Sequence, residues 1–156
     1  MNSENKHMTL RCTPFLLFDG TCAEAMTFYH ECFGGDLTIT KLGDSPMKDQ
    51  LPPEKHDRII NAHLKCGDLE ISATDWMASP AFEPVLGNNY AIFVTTQDED
   101  ELKTTFNKLA EGAERVPIRF QAPHELPIGT YGQVYDRYDV HWIFLRPRLE
   151  LDLPDC

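Results

Sequence analysis

Apolar and polar positions alternate in short bursts along the first half of the chain, and the bursts set out an order of elements. Residues 9–18 (TLRCTPFLLF) read as a strand, with Pro14 interrupting its N–H ladder and so favouring a sheet edge. Asp19-Gly20-Thr21 is a turn, and Thr21 with Glu24 has capping-box spacing. From Cys22 to Phe33, apolar residues recur at helical intervals, and Gly34-Gly35 stops the helix. One face of that helix is needed for a sheet, so Tyr29 and His30 are expected at its surface. Residues 36–42 alternate as a strand, and residues 43–57, with Pro46, Pro52 and Pro53, read as a long loop. RIINAHLKC (58–66), the Gly67-Asp68 turn and LEISATDW (69–76) make a hairpin.

Residues 77–88, which hold Pro80, Pro84 and Gly87, form a seam, and then the order repeats. NYAIFVTT (89–96) reads as a strand. A helix opens near Asp98, carries Leu102, Phe106 and Leu109 on one face, and ends at Gly112. Residues 114–120 read as a strand and 121–131 as a loop, in which His124 and Glu125 are either a lid or plain solvated residues. GQVYD (132–136) and VHWIFLR (140–146) make a second hairpin. MTFYHECFGGDLTI parallels KTTFNKLAEGAERV: helix, glycine stop, strand. The repeat predicts two similar half-sheets around a shared cleft, with the helices outside.

Composition narrows the function classes. A chain of 156 residues, 42% hydrophobic and 25% charged, suits one domain with a real core. Fourteen Lys and Arg against 25 Asp and Glu leave a net charge of -11, which repels nucleic-acid backbones and anionic lipid. No apolar run approaches a membrane span, and residues 1–8 lack a signal-peptide core, so a cytoplasmic protein is expected. The five cysteines, without CxxC spacing, read as reduced thiols. No GxSxG, glycine-rich phosphate loop or dinucleotide fingerprint occurs.

Several spaced motifs agree in order: F-D-G-x-x-x-E-A-x-x-F-Y-x-x-x-F-G-G at 18–35, G-D-S-P at 43–46, Ala62-His63 before the Cys66-Gly67-Asp68 turn, F-N-x-L-A-E-G at 106–112, and Y-G-x-V-x-D-R-Y at 131–138 closing on Trp142. Together they resemble the vicinal oxygen chelate superfamily, which holds glyoxalase I, extradiol dioxygenases and the fosfomycin- and bleomycin-resistance proteins, and in particular its PhnB-like branch. The resemblance implies an α+β fold in which two βαβββ modules form a curved mixed sheet around a central cleft, with helices on the convex face. The domain would span 9–147, with module one at about 9–76, module two at about 89–147, and tails at 1–8 and 148–156.

Metal-dependent members hold their ion with His and Glu side chains from both modules. Carried over by position, those sites fall at Thr13 or Pro14, Ser72, Asn89 or Tyr90, and Ile143. None is a His, Glu or Asp, so neither a metal nor another cofactor is expected there. Strand alternation offers other candidates. His63, Glu70, Ser72, Thr74 and His141 should share the cleft-facing side, with Tyr90 and Ile143 beside them. His63, Glu70 and His141 are either a displaced metal or acid–base site, or ordinary polar residues on a half-wet face. Trp76, Phe82 and Tyr90 bracket the seam, as ligand contacts or as packing.

The expected function is metal-free binding of a small organic molecule, in a twofold homodimer without nucleic-acid or membrane partners. The rival is a metal-dependent lyase, isomerase or dioxygenase using His63, Glu70 and His141. A methyltransferase is a poorer third, for want of a nucleotide-cofactor loop.

Overall fold

The two-residue Gly67-Asp68 turn fixes the register of the first hairpin. Cys66 pairs with Leu69, Leu64 with Ile71, His63 with Ser72 and Ala62 with Ala73. Side chains alternate across a strand, so Ala62, Leu64, Ile71 and Ala73 fall on one side, each at most 1% exposed. His63 and Ser72 fall on the other.

A computed structural model describes residues 9–77 and 85–148. The elements are β1 (Phe15–Phe18), α1 (Cys22–Phe33), β2 (Asp36–Lys41), β3 (Ile59–Cys66), β4 (Leu69–Asp75), β5 (Ile92–Thr95), α2 (Glu99–Leu109), β6 (Phe120–Leu126), β7 (Gly129–Tyr135) and β8 (His141–Pro147). They build two four-stranded sheets, ordered β1-β4-β3-β2 and β5-β8-β7-β6. Each has one parallel pair, β1 with β4 and β5 with β8, in otherwise antiparallel pairing. The α+β class and the repeat of βαβββ modules are therefore as the sequence predicts.

The helices start differently. Asp98 accepts from the amides of Asp100 and Glu101 and caps α2. Thr21 makes no side-chain cap bond, against the capping-box expectation. The distant Asp75, at the end of β4, accepts from the amides of Gly20 (2.9 Å) and Cys22 (3.0 Å) instead. Gly35 has φ 86°, and a Cβ there would collide with the Lys65 carbonyl. The glycine stop after α1 thus also lets β2 come close to β3.

One core joins the modules. On α1, Cys22, Ala25, Met26, Phe28, Tyr29 and Cys32 are all buried. Tyr29, expected at the helix surface, lies instead at 0% exposure. Its ring meets Trp142 of β8 edge-on, 5.4 Å between centroids, and Phe33 lies 5.3 Å from the same indole. The helix has two buried faces because it packs on its own sheet and also against the second module.

The second module corrects two further expectations. Residues 114–119 form no strand, and the expected loop at 121–131 is mostly β6 and the start of β7. His124 and Glu125 are therefore strand residues rather than a lid, paired with Tyr131 and Thr130. Pro123 sits where the β6–β7 register shifts between Gln121 and His124, on an edge strand. A bulge on an edge is where a sheet tolerates proline, and that proline disguises the strand in the sequence. Of the expected first strand only Phe15–Phe18 is strand, and three short 3-10 turns lie at Leu42–Asp44, Lys48–Gln50 and Pro53–Lys55, in and at the start of the expected 43–57 loop. Phe82, most of the 77–88 seam and nearly all of both tails lie outside the described residues.

Candidate functional site

The side of each sheet turned away from its helix carries the candidate residues. In the first sheet, register puts Phe15, Ser72, His63 and Thr38 in one row across β1, β4, β3 and β2. His63 Nδ1 lies 2.9 Å from Ser72 Oγ, and its Nε2 lies 3.0 Å from Glu70 Oε1. Arg11 Nη2 donates to the other oxygen of Glu70 at 2.5 Å. Ser72, His63, Glu70 and Arg11 thus form one connected polar chain. Thr74 is on the same side, but its hydroxyl is given to the carbonyls of Ile59 and Ile60 (3.1 and 2.9 Å). It braces the β3–β4 end where the β2–β3 register slips between Thr40 and Lys41.

In the second sheet, His141 lies directly across from Tyr135. The two rings stack at 4.1 Å with 5° between their planes. His141 Nδ1 faces the Tyr90 carbonyl at 3.1 Å, and Nε2 faces Gln133 Oε1 at 2.9 Å. The Arg119 guanidinium lies 4.6 Å from the Tyr135 ring centroid and pairs with Asp139. Ile143 sits between Phe93 of β5 and Gln133 of β7. Burial holds the Tyr90 phenol above its ordinary value, so it stays protonated at neutral pH.

The structure thus brings His63, Glu70 and Ser72 together and gives His141 a different set of partners. Among the described residues, no group of three or more His, Cys, Asp or Glu side chains is placed to hold a metal. The positions the resemblance assigns to metal ligands are Thr13 or Pro14, Ser72, Asn89 or Tyr90, and Ile143; none carries an imidazole or carboxylate, proline and isoleucine have no side-chain lone pair, and the Ser72 hydroxyl is engaged with His63. That is a poor donor set for a divalent ion.

A groove of about 470 Å³ runs along β1 and the approach to β5, lined by Phe15, Leu17, Tyr90 and Phe93 among others. Phe15 and Phe93 are 62% and 57% exposed. Tyr90 is the part of the expected seam cluster that reaches it. Trp76 instead extends the β1–β4 ladder by donating its amide to the Phe18 carbonyl.

The sequence alone does not single out Arg11, Arg119, Asp75 or Asp136. For the aspartates a signal exists. Asp75 is in phase with the buried Ile71 and Ala73, and Asp136 with the buried Val134. An acid on the apolar phase of a strand must find donors inside. The thiols of Cys22 and Cys32 are pushed up to about 12, chiefly by burial, so both stay protonated and unreactive.

A family model described as 3-demethylubiquinone-9 3-methyltransferase matches residues 10–144. The crystal structure of protein PA1353 from Pseudomonas aeruginosa is 29% identical, with a TM-score of 0.75 over 89% of this chain and 98% of that one. A Bacillus cereus PhnB protein, described as a putative 3-demethylubiquinone-9 3-methyltransferase, is 25% identical, with a TM-score of 0.65 over 88% and 99%. A glyoxylase/bleomycin resistance protein/dioxygenase domain from Frankia shares the fold, at 15% identity and a TM-score of 0.61 over 90% and 99%. A search of curated proteins gave no match.

Proposed function

The chain belongs to the PhnB-like family described as 3-demethylubiquinone-9 3-methyltransferase, within the glyoxalase/bleomycin-resistance superfamily, and from that premise we propose that it is a metal-free binding protein for a small organic molecule. The donor set carries this reading. The ligand positions hold Thr13 or Pro14, Ser72, Asn89 or Tyr90, and Ile143, none of them a His, Glu or Asp, while His63 and Glu70 bond to each other and His141 faces the Tyr90 carbonyl and the Gln133 amide. The ligand's apolar part would lie along Phe15, Leu17, Tyr90 and Phe93, and its polar part would reach Ser72 and His63, in one row with Phe15 across the sheet. Binding is favoured over the methyl transfer that the family description names, because the sequence has no nucleotide-cofactor loop.

Adding zinc, nickel, manganese or iron should therefore leave the melting temperature nearly unchanged. A matching organic ligand at a hundredfold excess over Kd should raise stability by about 2.7 kcal/mol. A large shift with a divalent metal alone would overturn the reading.

The assembly follows from the edges. The strands β1, β2, β5 and β6 end their sheets, and β1 and β5 carry the exposed Phe15 and Phe93. Open edges bearing apolar side chains are normally covered, and the proposed cover is a second copy related by a twofold axis. Light scattering at micromolar concentration should give twice the chain mass; a monomer would contradict it. The net charge of -11 supports a partner set without nucleic acid or anionic membrane, as expected of a cytoplasmic protein. Among the described residues no helix is long and apolar enough to cross a membrane.

A further inference from the structure

We infer that Ser72 is a nucleophilic hydroxyl activated by His63, and that this face accepts acyl groups from small activated esters. The inference rests on the proposal that the face receives small molecules, and goes beyond it by assigning a reaction.

The bonds define the protonation pattern. Glu70 Oε1 lies 3.0 Å from His63 Nε2, and a carboxylate only accepts, so Nε2 carries the proton. In the neutral ring Nδ1 is then bare. It faces Ser72 Oγ at 2.9 Å and accepts the hydroxyl proton. Hydroxyl, imidazole and carboxylate are therefore joined in series, the arrangement by which a weak nucleophile is activated by an adjacent base and the base is oriented by a third group. Arg11 at 2.5 Å fixes the far oxygen of Glu70, and through it the ring. All of these groups remain partly accessible: the side chains of His63 and Glu70 are 34% and 20% exposed.

The neighbours define the substrate. Phe15 pairs with Ser72 across β1 and β4, and Leu17 pairs with Thr74 one step along. Both side chains are exposed on that edge and line the groove toward Tyr90 and Phe93. Ser72 is not itself in the groove's lining, but an acyl or aryl group resting against Phe15, its cross-strand partner, would place its carbonyl carbon near Ser72 Oγ. The oxygen bonds to that carbon while its proton passes to His63 Nδ1. The carbonyl reforms, the bond to the leaving oxygen breaks, and His63 returns the proton to that oxygen as an alcohol or phenol departs. Water then repeats the sequence on the acyl-serine, losing its proton to Nδ1 and releasing the carboxylic acid. The sum is ester plus water giving acid plus alcohol. Ser72 and His63 are the catalytic residues; Glu70 and Arg11 are positioning residues.

The test incubates the full chain with p-nitrophenyl acetate and follows p-nitrophenol release, intact mass and the acetylated peptides. The expected result, in samples quenched with acid during turnover so that the acyl-serine is trapped, is one acetyl group on Ser72, absent from Ser72→Ala, with His63→Gln slowed by at least about a hundredfold. Glu70→Gln should lower the maximal rate at an unchanged half-saturating ester concentration, and Glu70→Asp should restore part of it. Acetylation that maps only to lysines in the wild-type protein, or His63→Gln reacting at the wild-type rate, would overturn the inference. Because the wild-type labelling pattern can overturn it by itself, misfolding of a variant would not protect it. If Ser72 stays unlabelled while an organic ligand still raises the melting temperature, the nucleophile is wrong and the binding site stands.

Discussion

Replacing Asp136 with alanine is expected to destabilise the chain by about 4 kcal/mol, a larger loss than at the other buried aspartate, Asp75. Asp136 is 2% exposed and lies just after β7. Its Oδ2 accepts from the Tyr29 hydroxyl of α1 at 2.7 Å and from the Trp142 indole of β8 at 2.8 Å. Its Oδ1 accepts from the amides of Tyr138 (2.8 Å) and Val140 (3.2 Å). One carboxylate thus ties the helix of the first module to the second sheet and shapes the β7–β8 turn. Alanine leaves four donors without a partner, two of them on fully buried side chains. Tyr29→Phe removes only one bond and should cost about 1 kcal/mol. Urea denaturation at an unchanged m-value measures both losses. An Asp136→Ala loss no larger than that of Tyr29→Phe would show that the carboxylate does not join the modules.

The pH dependence has a definite sign. Burial raises the Asp136 carboxyl above its ordinary value, opposed by the bonds from Tyr29, Trp142, Tyr138 and Val140. The folded state then takes up this proton at a higher pH than the unfolded chain does. The associated stability is fully present below the unfolded value and is lost as pH rises through the folded one. The advantage of wild type over the non-titrating Asp136→Asn should therefore widen as pH falls from neutrality into the carboxylate range. An advantage that narrows would reverse the sign.

Asp75→Ala should cost about 3 kcal/mol. Besides capping Gly20 and Cys22 at the N-terminal, positive end of α1, Asp75 accepts from the Ile59 amide at 2.9 Å and so anchors the start of β3. Three segments far apart in sequence meet at this carboxylate. Thr21→Ala, at the position the capping-box spacing favours, should stay within about 0.5 kcal/mol, because its side chain makes no cap bond. Parallel thermal melts separate the two. A Thr21→Ala loss equal to that of Asp75→Ala would return the cap to Thr21.

The contrast between Thr21 and Asp75 marks where the sequence stops being readable. Spacing rules find partners within one turn; they do not find an acid more than fifty residues away. The hairpins are legible because short turns fix register arithmetically. Gly67-Asp68 dictates that His63 faces Ser72, and the turn after Asp136 dictates that Tyr135 faces His141. The strand β6 is not legible, because Pro123 and its bulge break the alternation. Tyr29 is misplaced by periodicity, which reports how much of a helix is apolar but not that a second module covers its other side. Alternation puts His63, Glu70 and Ser72 on one side of their sheet, yet which candidates meet depends on how the two sheets are set. His63 and Glu70 meet within one hairpin, whereas His141 belongs to the other sheet and bonds to Tyr90 and Gln133.

On the function proposed for this chain, a fold of the glyoxalase/bleomycin-resistance kind binds its small molecule without a metal. Native mass spectrometry with elemental analysis, on protein purified without a histidine tag, tests this most directly. The expected result is far less than one divalent metal per chain, unchanged when His63, Glu70 and His141 are together replaced by alanine. Close to one metal per chain, lost in that triple replacement, would contradict the proposal and make those three side chains its ligands.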